Sequence, residues 1–455
     1  MLSQFFKALA TCFKIEDLRK KILFTLGIVA VYRLGCFIPT PGINAKALAE
    51  LFNRLTESTG GGNVFSIMNM FSGGSLEKLT VFSLGVMPYI SSSIIMQLLT
   101  AVIPALEKLS KEGRAGYQKI NQYTRYGTVV LALIQSFFIA LWLETPQAMG
   151  QGALALVSNP GWGFRLTTVL ALTTGTLIIM WLGERIQEQG IGNGMSLIIT
   201  AGILSSAPAA VTQLIMLLSP QAAAGAQLQP LTVLIMCGLF VAVVIATTLI
   251  SQAQRRIPVQ YARRVVNSRV YGGQNSFIPL KVDTAGIIAI IFAQSIILFP
   301  ATIASFIPAQ GISHFAAYLA RGQWPYYALY GGLIVFFCYF YTAIVFNPTD
   351  VGENMKKHGG FVPGIRPGKD TADYLDFVLT RITLVGALYI CIVAVMPDAI
   401  MASARVPYLV ASFFGGTGIL ITVGVMLDTM KQIEAHLQMH NYEGFMQSGH
   451  LRGRR

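Results

Sequence analysis

Ten runs of mostly apolar residues decide what this chain can become. They lie at about 22–38, 79–101, 126–143, 166–182, 195–218, 230–250, 284–305, 325–346, 382–396 and 407–427. All but the run at 382–396 have the roughly 17–25 residues that a helix needs to cross a bilayer core of about 30 Å. Only 12% of the 455 residues are charged, half the ~25% of a soluble domain. A chain so patterned folds as an all-α polytopic membrane protein, because only helices and closed barrels satisfy their backbone in lipid.

Charge placement orients it. Of the 33 lysines and arginines, 26 fall in the tails and loops at odd positions, counting the N-terminal tail as first. Six fall in the even loops, and Arg33 lies inside the first run. The positive-inside rule then puts both termini in the cytoplasm, and an even span count independently requires them on one side. The uncharged loop 219–229 separates an N-terminal half, 1–218, from a C-terminal half, 230–427, with a cytoplasmic tail at 428–455. Five spans in each half suit an inverted repeat around a central pathway. A basic stretch, Arg19 to Lys21, precedes the first run without a small-residue cleavage site after it, so that run is expected to stay as an anchor.

One segment is too short to span and too apolar for a wet loop. Residues 63–72 hold Phe65, Ile67, Met68, Met70 and Phe71, carry no charge, and sit between Gly60–Gly62 and the pair Gly73–Gly74. As a helix they measure roughly 15 Å. The charge count places them on the outer side, where they read equally as a plug on glycine hinges or as an interfacial helix. In the next run, Val86 and Ile90 share a helical face that continues as Ser93 and Gln97. That stripe is apolar at the expected membrane centre, Ile90, and polar below. It suits a hydrophobic constriction over a wet funnel, or helix packing.

Catalytic chemistry finds little support. There is no HExxH, and Gly190, Gly192 and Gly194 are too few for a nucleotide loop. His436 and His440 have a metal-compatible spacing, but their polar tail reads as a solvated face. Five cysteines without a CxxC pair support neither disulfides nor a zinc ribbon. Arg33 reads as snorkelling or structurally paired. Carboxylates and histidines are scarce at depth, which weighs against a proton-coupled transporter of a small solute and against an intramembrane enzyme. The loop with Arg255, Arg256, Arg263 and Arg264 alternates basic and apolar residues. It reads as a site for an acidic partner or RNA backbone, or as a topology determinant alone. Near Lys356 and Lys357, two Pro-Gly steps are expected to turn the chain and expose Arg366.

At these residues the chain resembles the SecY family of bacterial protein-conducting channels, essentially end to end. The likeness rests on IPTPGI at 38–43, NMFSGG at 69–74, GVMPYIS at 85–91, QYTRYG at 122–127 and WLGE at 181–184. It continues through GIGNG at 190–194, QRRI at 254–257, PLKV at 279–282, FNP at 346–348, FVPGIRPG at 361–368 and FGGT at 414–417. The resemblance implies ten transmembrane helices in two pseudo-symmetric five-helix halves around a central hourglass pore with a plug helix. It implies a pore ring at Val86, Ile90, Met195, Ile199, Ile291 and Ile421, and a lateral gate between the second and seventh spans at Ser93, Gln97 and Gln294. It implies docking of the ribosome and the motor ATPase SecA on the two long basic loops, Arg366 included. Subunits SecE and SecG, unfolded preproteins and their signal sequences as substrates, and the bacterial inner membrane as location follow in the same way. No cofactor and no metal ion are implied.

Overall fold

The computed structural model describes residues 15–44, 47–52, 64–144, 156–157, 159–218, 230–261, 264–266, 269–271, 275–306, 323–404 and 406–448. Gly60–Gly62, the inter-half loop 219–229 and Arg263 lie outside them.

The chain is mostly helical. Among the described residues, seven stretches are long and apolar enough to cross a membrane: Arg114–Glu144, Trp162–Gln189, Gly194–Leu218, Pro230–Gln252, Trp324–Lys357, Lys369–Met401 and Val410–Met439. An eighth is a pair bent by 99° where Met87–Val102 meets Pro104–Lys111. In chain order the helices are α1 (Glu16–Gly35), α2 (Val64–Phe71), α3 (Met87–Val102), α4 (Pro104–Lys111) and α5 (Arg114–Glu144). Then come α6 (Trp162–Gln189), α7 (Gly194–Ser205), α8 (Ala207–Leu218), α9 (Pro230–Gln252) and α10 (Gly286–Phe306). The last are α11 (Trp324–Val345), α12 (Pro348–Lys357), α13 (Lys369–Ala404), α14 (Tyr408–Phe414) and α15 (Thr417–Ser448).

Exposure separates core from periphery. In the last span, Val410–Met439, 72% of the most apolar window is buried, against 17% in Pro230–Gln252. Leu231, Leu234, Ile235 and Leu249 leave α9 with a bare apolar stripe, a surface that only lipid or another membrane chain can cover. Inside, hydroxyls bond to their own helices. Thr128, Thr176, Thr247 and Thr342 each donate to the carbonyl four residues back, so they need no outside partner. Close crossings rest on glycine. A Cβ on Gly175 of α6 would sit 1.9 Å from the Val81 carbonyl oxygen.

The all-α expectation needs correction. The two long basic loops contain strands, and they pair with each other. β1 (Gln254–Tyr261) runs antiparallel to β4 (Asn275–Lys281), with Ile257 opposite Ile278. Its other edge pairs with β5 (Gly360–Phe361), Gln260 opposite Phe361. β2 (Arg264–Val266) and β3 (Arg269–Tyr271) form a separate ribbon. The alternation of basic and apolar residues is a strand period: Ile257 and Val259 face inward, while Arg255 and Arg256 stay exposed. The buried side packs on Leu375, Val378 and Leu379 of α13. This explains a second difference. The shortest apolar run, 382–396, lies inside the longest helix, 36 residues, because its N-terminal turns carry the sheet rather than cross lipid.

Asp283 joins this sheet to α10. Its Oδ1 accepts from the Gly286 amide at 2.7 Å, capping the helix. Burial raises its carboxyl above the ordinary carboxylate range, against the lowering effect of that amide. A raised acid costs stability, and the cost is absent below the unfolded value, grows as pH rises from there to the folded value and is constant above it. Asp283→Asn keeps an acceptor oxygen without the charge. It is expected to melt above the wild type at pH 8, with a smaller gap at pH 5, in thermal unfolding of the purified protein.

Candidate functional site

The site grows from the short helix α2. The side chains of Phe65 and Ile67 lie outside the described residues. Those of Met68, Met70 and Phe71 are buried. The helix ends in a Schellman motif. The Gly74 amide donates to the Asn69 carbonyl at 2.8 Å and the Gly73 amide to that of Met70 at 3.2 Å. Both glycines have positive φ, +67° and +82°, which L side chains adopt only at a cost. Asn69 braces the return. Its Oδ1 accepts from the Glu77 amide at 3.0 Å, and its Nδ2 donates to Glu77 Oε2 at 3.3 Å.

After Gly74 the chain does not enter a helix at Leu79. It lies against the end of α1 instead. The Val81 amide donates to Ile38 O, the Thr40 amide to Leu79 O, and the Thr40 hydroxyl to the same oxygen at 2.7 Å. Gly85, at φ +57°, turns the chain, and α3 starts at Met87. Ile90 is therefore in the first turn of its helix, and Val86 is the N-cap, rather than both lying about the middle of a helix from 79 to 101. The polar continuation has the expected spacing: Gln97 Nε2 donates to Ser93 Oγ at 3.2 Å.

The same pattern holds at the other positions named for the pore ring. Met195 and Ile199 fall in the first six residues of α7, Ile291 in those of α10 and Ile421 in those of α15. Gly415 and Gly416 break the last run and start α15 at Thr417. Four helix starts thus deliver six apolar side chains to one place. All six belong to one continuous buried cluster, which also takes in Met70 and Phe71. None is more than 7% exposed. Side chains lining an open aqueous hole would be wetted; these fill one another's space. Gly183 of α6 makes room for Met195, whose Sδ would lie 2.6 Å from an added Cβ.

Facing α3 across this cluster is α10, and the Ser295 hydroxyl points to Met87 Sδ at 4.0 Å. Gln294 is buried, and its Oε1 has no hydrogen-bond partner among the described residues. The structure gives no bond from Gln294 to Ser93 or Gln97.

The basic positions form a second region. Arg255 and Arg256 stand exposed on β1, with the Arg256 guanidinium 4.9 Å from the Phe277 ring centre. Lys356 and Lys357 end α12 exposed. Arg366 is exposed between Gly364 and Gly368, both at positive φ, and its carbonyl accepts from the Thr371 hydroxyl at 2.8 Å. Arg264 lies on β2. Through β5, the sheet brings the two basic loops together.

Sequence reasoning missed the partners of Arg33. Its Nη1 donates to Gly73 O at 3.0 Å and Tyr32 donates to Ser72 O at 3.4 Å, while Ser205 Oγ, which donates to Gly202 O at 2.6 Å, lies 3.4 Å from Gly73 O. An arginine inside an apolar run was the only signal. Nothing in the sequence marked Ser205 or its neighbour Gly202, where a Cβ would meet Phe71 O at 3.0 Å.

Comparison with known proteins agrees with this architecture. Residues 80–430 match the family model described as SecY. The protein translocase subunit SecY of Escherichia coli strain K12 is 47% identical over 96% of both chains. Two solved structures share the fold over 92% of each chain. One is described as a protein conducting channel (TM-score 0.61, 15% identity). The other concerns the plug domain of a SecY protein, said to stabilise the closed state and maintain a membrane seal (TM-score 0.57, 16% identity). A match of this extent and identity is decisive, and the chain belongs to the SecY family.

Proposed function

We propose that this chain is the protein-conducting channel subunit of a bacterial translocase, carrying unfolded secretory chains across the inner membrane. The observation that carries this is the convergence of four helix starts and the end of α2 on one apolar, closed cluster. A ring of branched apolar side chains dewets when empty and yields around a chain of any sequence. It needs no specific pocket. We read α2 as the plug over that ring, hinged at Gly73 and Gly74. The chain spans the membrane ten times in two five-span halves, with both termini cytoplasmic. Transmembrane segments of clients leave sideways into lipid between α3 and α10, past Ser93, Gln97 and Gln294.

Driving energy comes from partners. The exposed arginines and lysines on the joined basic loops suit acidic or RNA-containing surfaces, so this face receives the ribosome or the motor SecA. SecE clamps the two halves and SecG binds peripherally. A small-solute transporter would need a charged site at mid-membrane, and the converging residues are apolar.

A photoreactive residue at Ile90 or Ile291 should capture a stalled secretory chain in the assembled translocase. Capture confined to bare apolar positions such as Leu234 would overturn the channel reading. Ile199→Asn places a polar group in the ring, which favours wetting, and should raise the ion conductance of the resting complex severalfold. Arg366→Glu should cut motor-driven export of a secretory protein at least tenfold, while resting conductance stays at the wild-type level.

A further inference from the structure

We propose that Arg33 is a positioning residue that latches the plug in its closed seat. The inference rests on α2 being the plug. Two donors from α1 converge on consecutive carbonyls at the end of that helix, Arg33 Nη1 on Gly73 O at 3.0 Å and the Tyr32 hydroxyl on Ser72 O at 3.4 Å. Ser205 Oγ, at the end of α7, lies 3.4 Å from Gly73 O while its proton goes to Gly202 O at 2.6 Å. The acceptors belong to the turn that must swing when α2 leaves. The latch therefore joins α1 to the moving part, and it breaks on opening.

Arg33 suits the task chemically. A guanidinium donates from a planar fork. Its bonds to carbonyls are stronger than those of a neutral donor. The side chain is only partly exposed, and its Cζ lies 5.7 Å from the Phe37 ring centre. The ring holds the group aimed at the hinge. Removing Gly73 O would leave a charged donor in a half-buried place, which costs free energy, so the latch biases the plug toward closure.

The latch also assigns the two hinge glycines different work. A Cβ on Gly73 would lie 2.9 Å from Arg33 Nη1 and 3.0 Å from Gly202 Cα, whereas one on Gly74 would meet nothing within 4 Å. Gly73 is the gripped residue, and Gly74 has the space to pivot.

The test uses the complete translocase, with its partner subunits, in planar bilayers. Wild type, Arg33→Gln, Arg33→Lys, Ser205→Ala and a chain lacking α2 are compared for resting ion conductance. Arg33→Gln should raise the open fraction about tenfold, equivalent to about 1.4 kcal/mol. Arg33→Lys keeps a charged donor and should retain most of the seal, and Ser205→Ala should leak less than Arg33→Gln. A secretory protein with a crippled signal sequence should cross more readily in Arg33→Gln. Wild-type conductance in Arg33→Gln, beside a leaking chain without α2, overturns the latch and leaves the plug reading standing. Wild-type conductance in the chain without α2 overturns both. Should Arg33→Gln fail to assemble, Tyr32→Phe with Ser205→Ala carries the test through amide hydrogen exchange at residues 70–75. Faster exchange there supports the latch, and unchanged exchange overturns it.

Discussion

Backbone groups at membrane depth have no water to bond to, so each must find a partner inside the protein. The structure depends on how this chain meets that constraint where its helices stop. The breaks at Ser72–Gly74, Leu79–Val86 and Gly415–Gly416 lie at or beside the apolar cluster. Each is closed by named partners: a Schellman turn after α2, the bridge to the end of α1, and the Gly415 amide on Ala411 O. Unsatisfied, any of them would cost several kcal/mol. Satisfied, they let helices begin in the middle of the protein and present their first turns to one point.

That arrangement explains why the constriction is apolar yet built from irregular pieces. Lipid tails are as apolar as isoleucine, so hydrophobic burial gives little reason for helices to gather there. Packing and backbone bonding hold them instead. Gly175, Gly183 and Gly202 mark places where a side chain would push elements apart. The end of α2 is a different case, because polar donors from α1 reach the turn that follows it.

The cytoplasmic face follows another logic. There the chain can use strands, because Arg255, Arg256 and their neighbours stand in water while Ile257, Val259 and Leu280 pack beneath them on α13. Two loops far apart in the chain become one surface through the Gln260–Phe361 pairing. The first half of α13 supports that surface and continues into a membrane span.

Much was legible in the sequence because its signals are local. Apolar run length marks a span, charge asymmetry orients it, and glycine pairs mark turns; the half-length segment before Gly73 and the exposed Arg366 loop needed nothing more. What stayed hidden depended on neighbours distant in sequence. Run length cannot tell that α3 starts at Met87, since the bonds from Leu79 and Val81 to the α1 end hold those residues out of a helix. It cannot tell that the shortest apolar run sits in the longest helix, since the sheet decides that. Nor can it give Arg33 a partner, because the carbonyl it binds is 40 residues away and every chain segment offers carbonyls. By itself the sequence determined a helix-spanned membrane protein with a short apolar segment bounded by glycines. Only the tertiary structure decided where the helices break and which donors bond to the turn at Ser72 and Gly73, because unpaired backbone groups choose their partners in space.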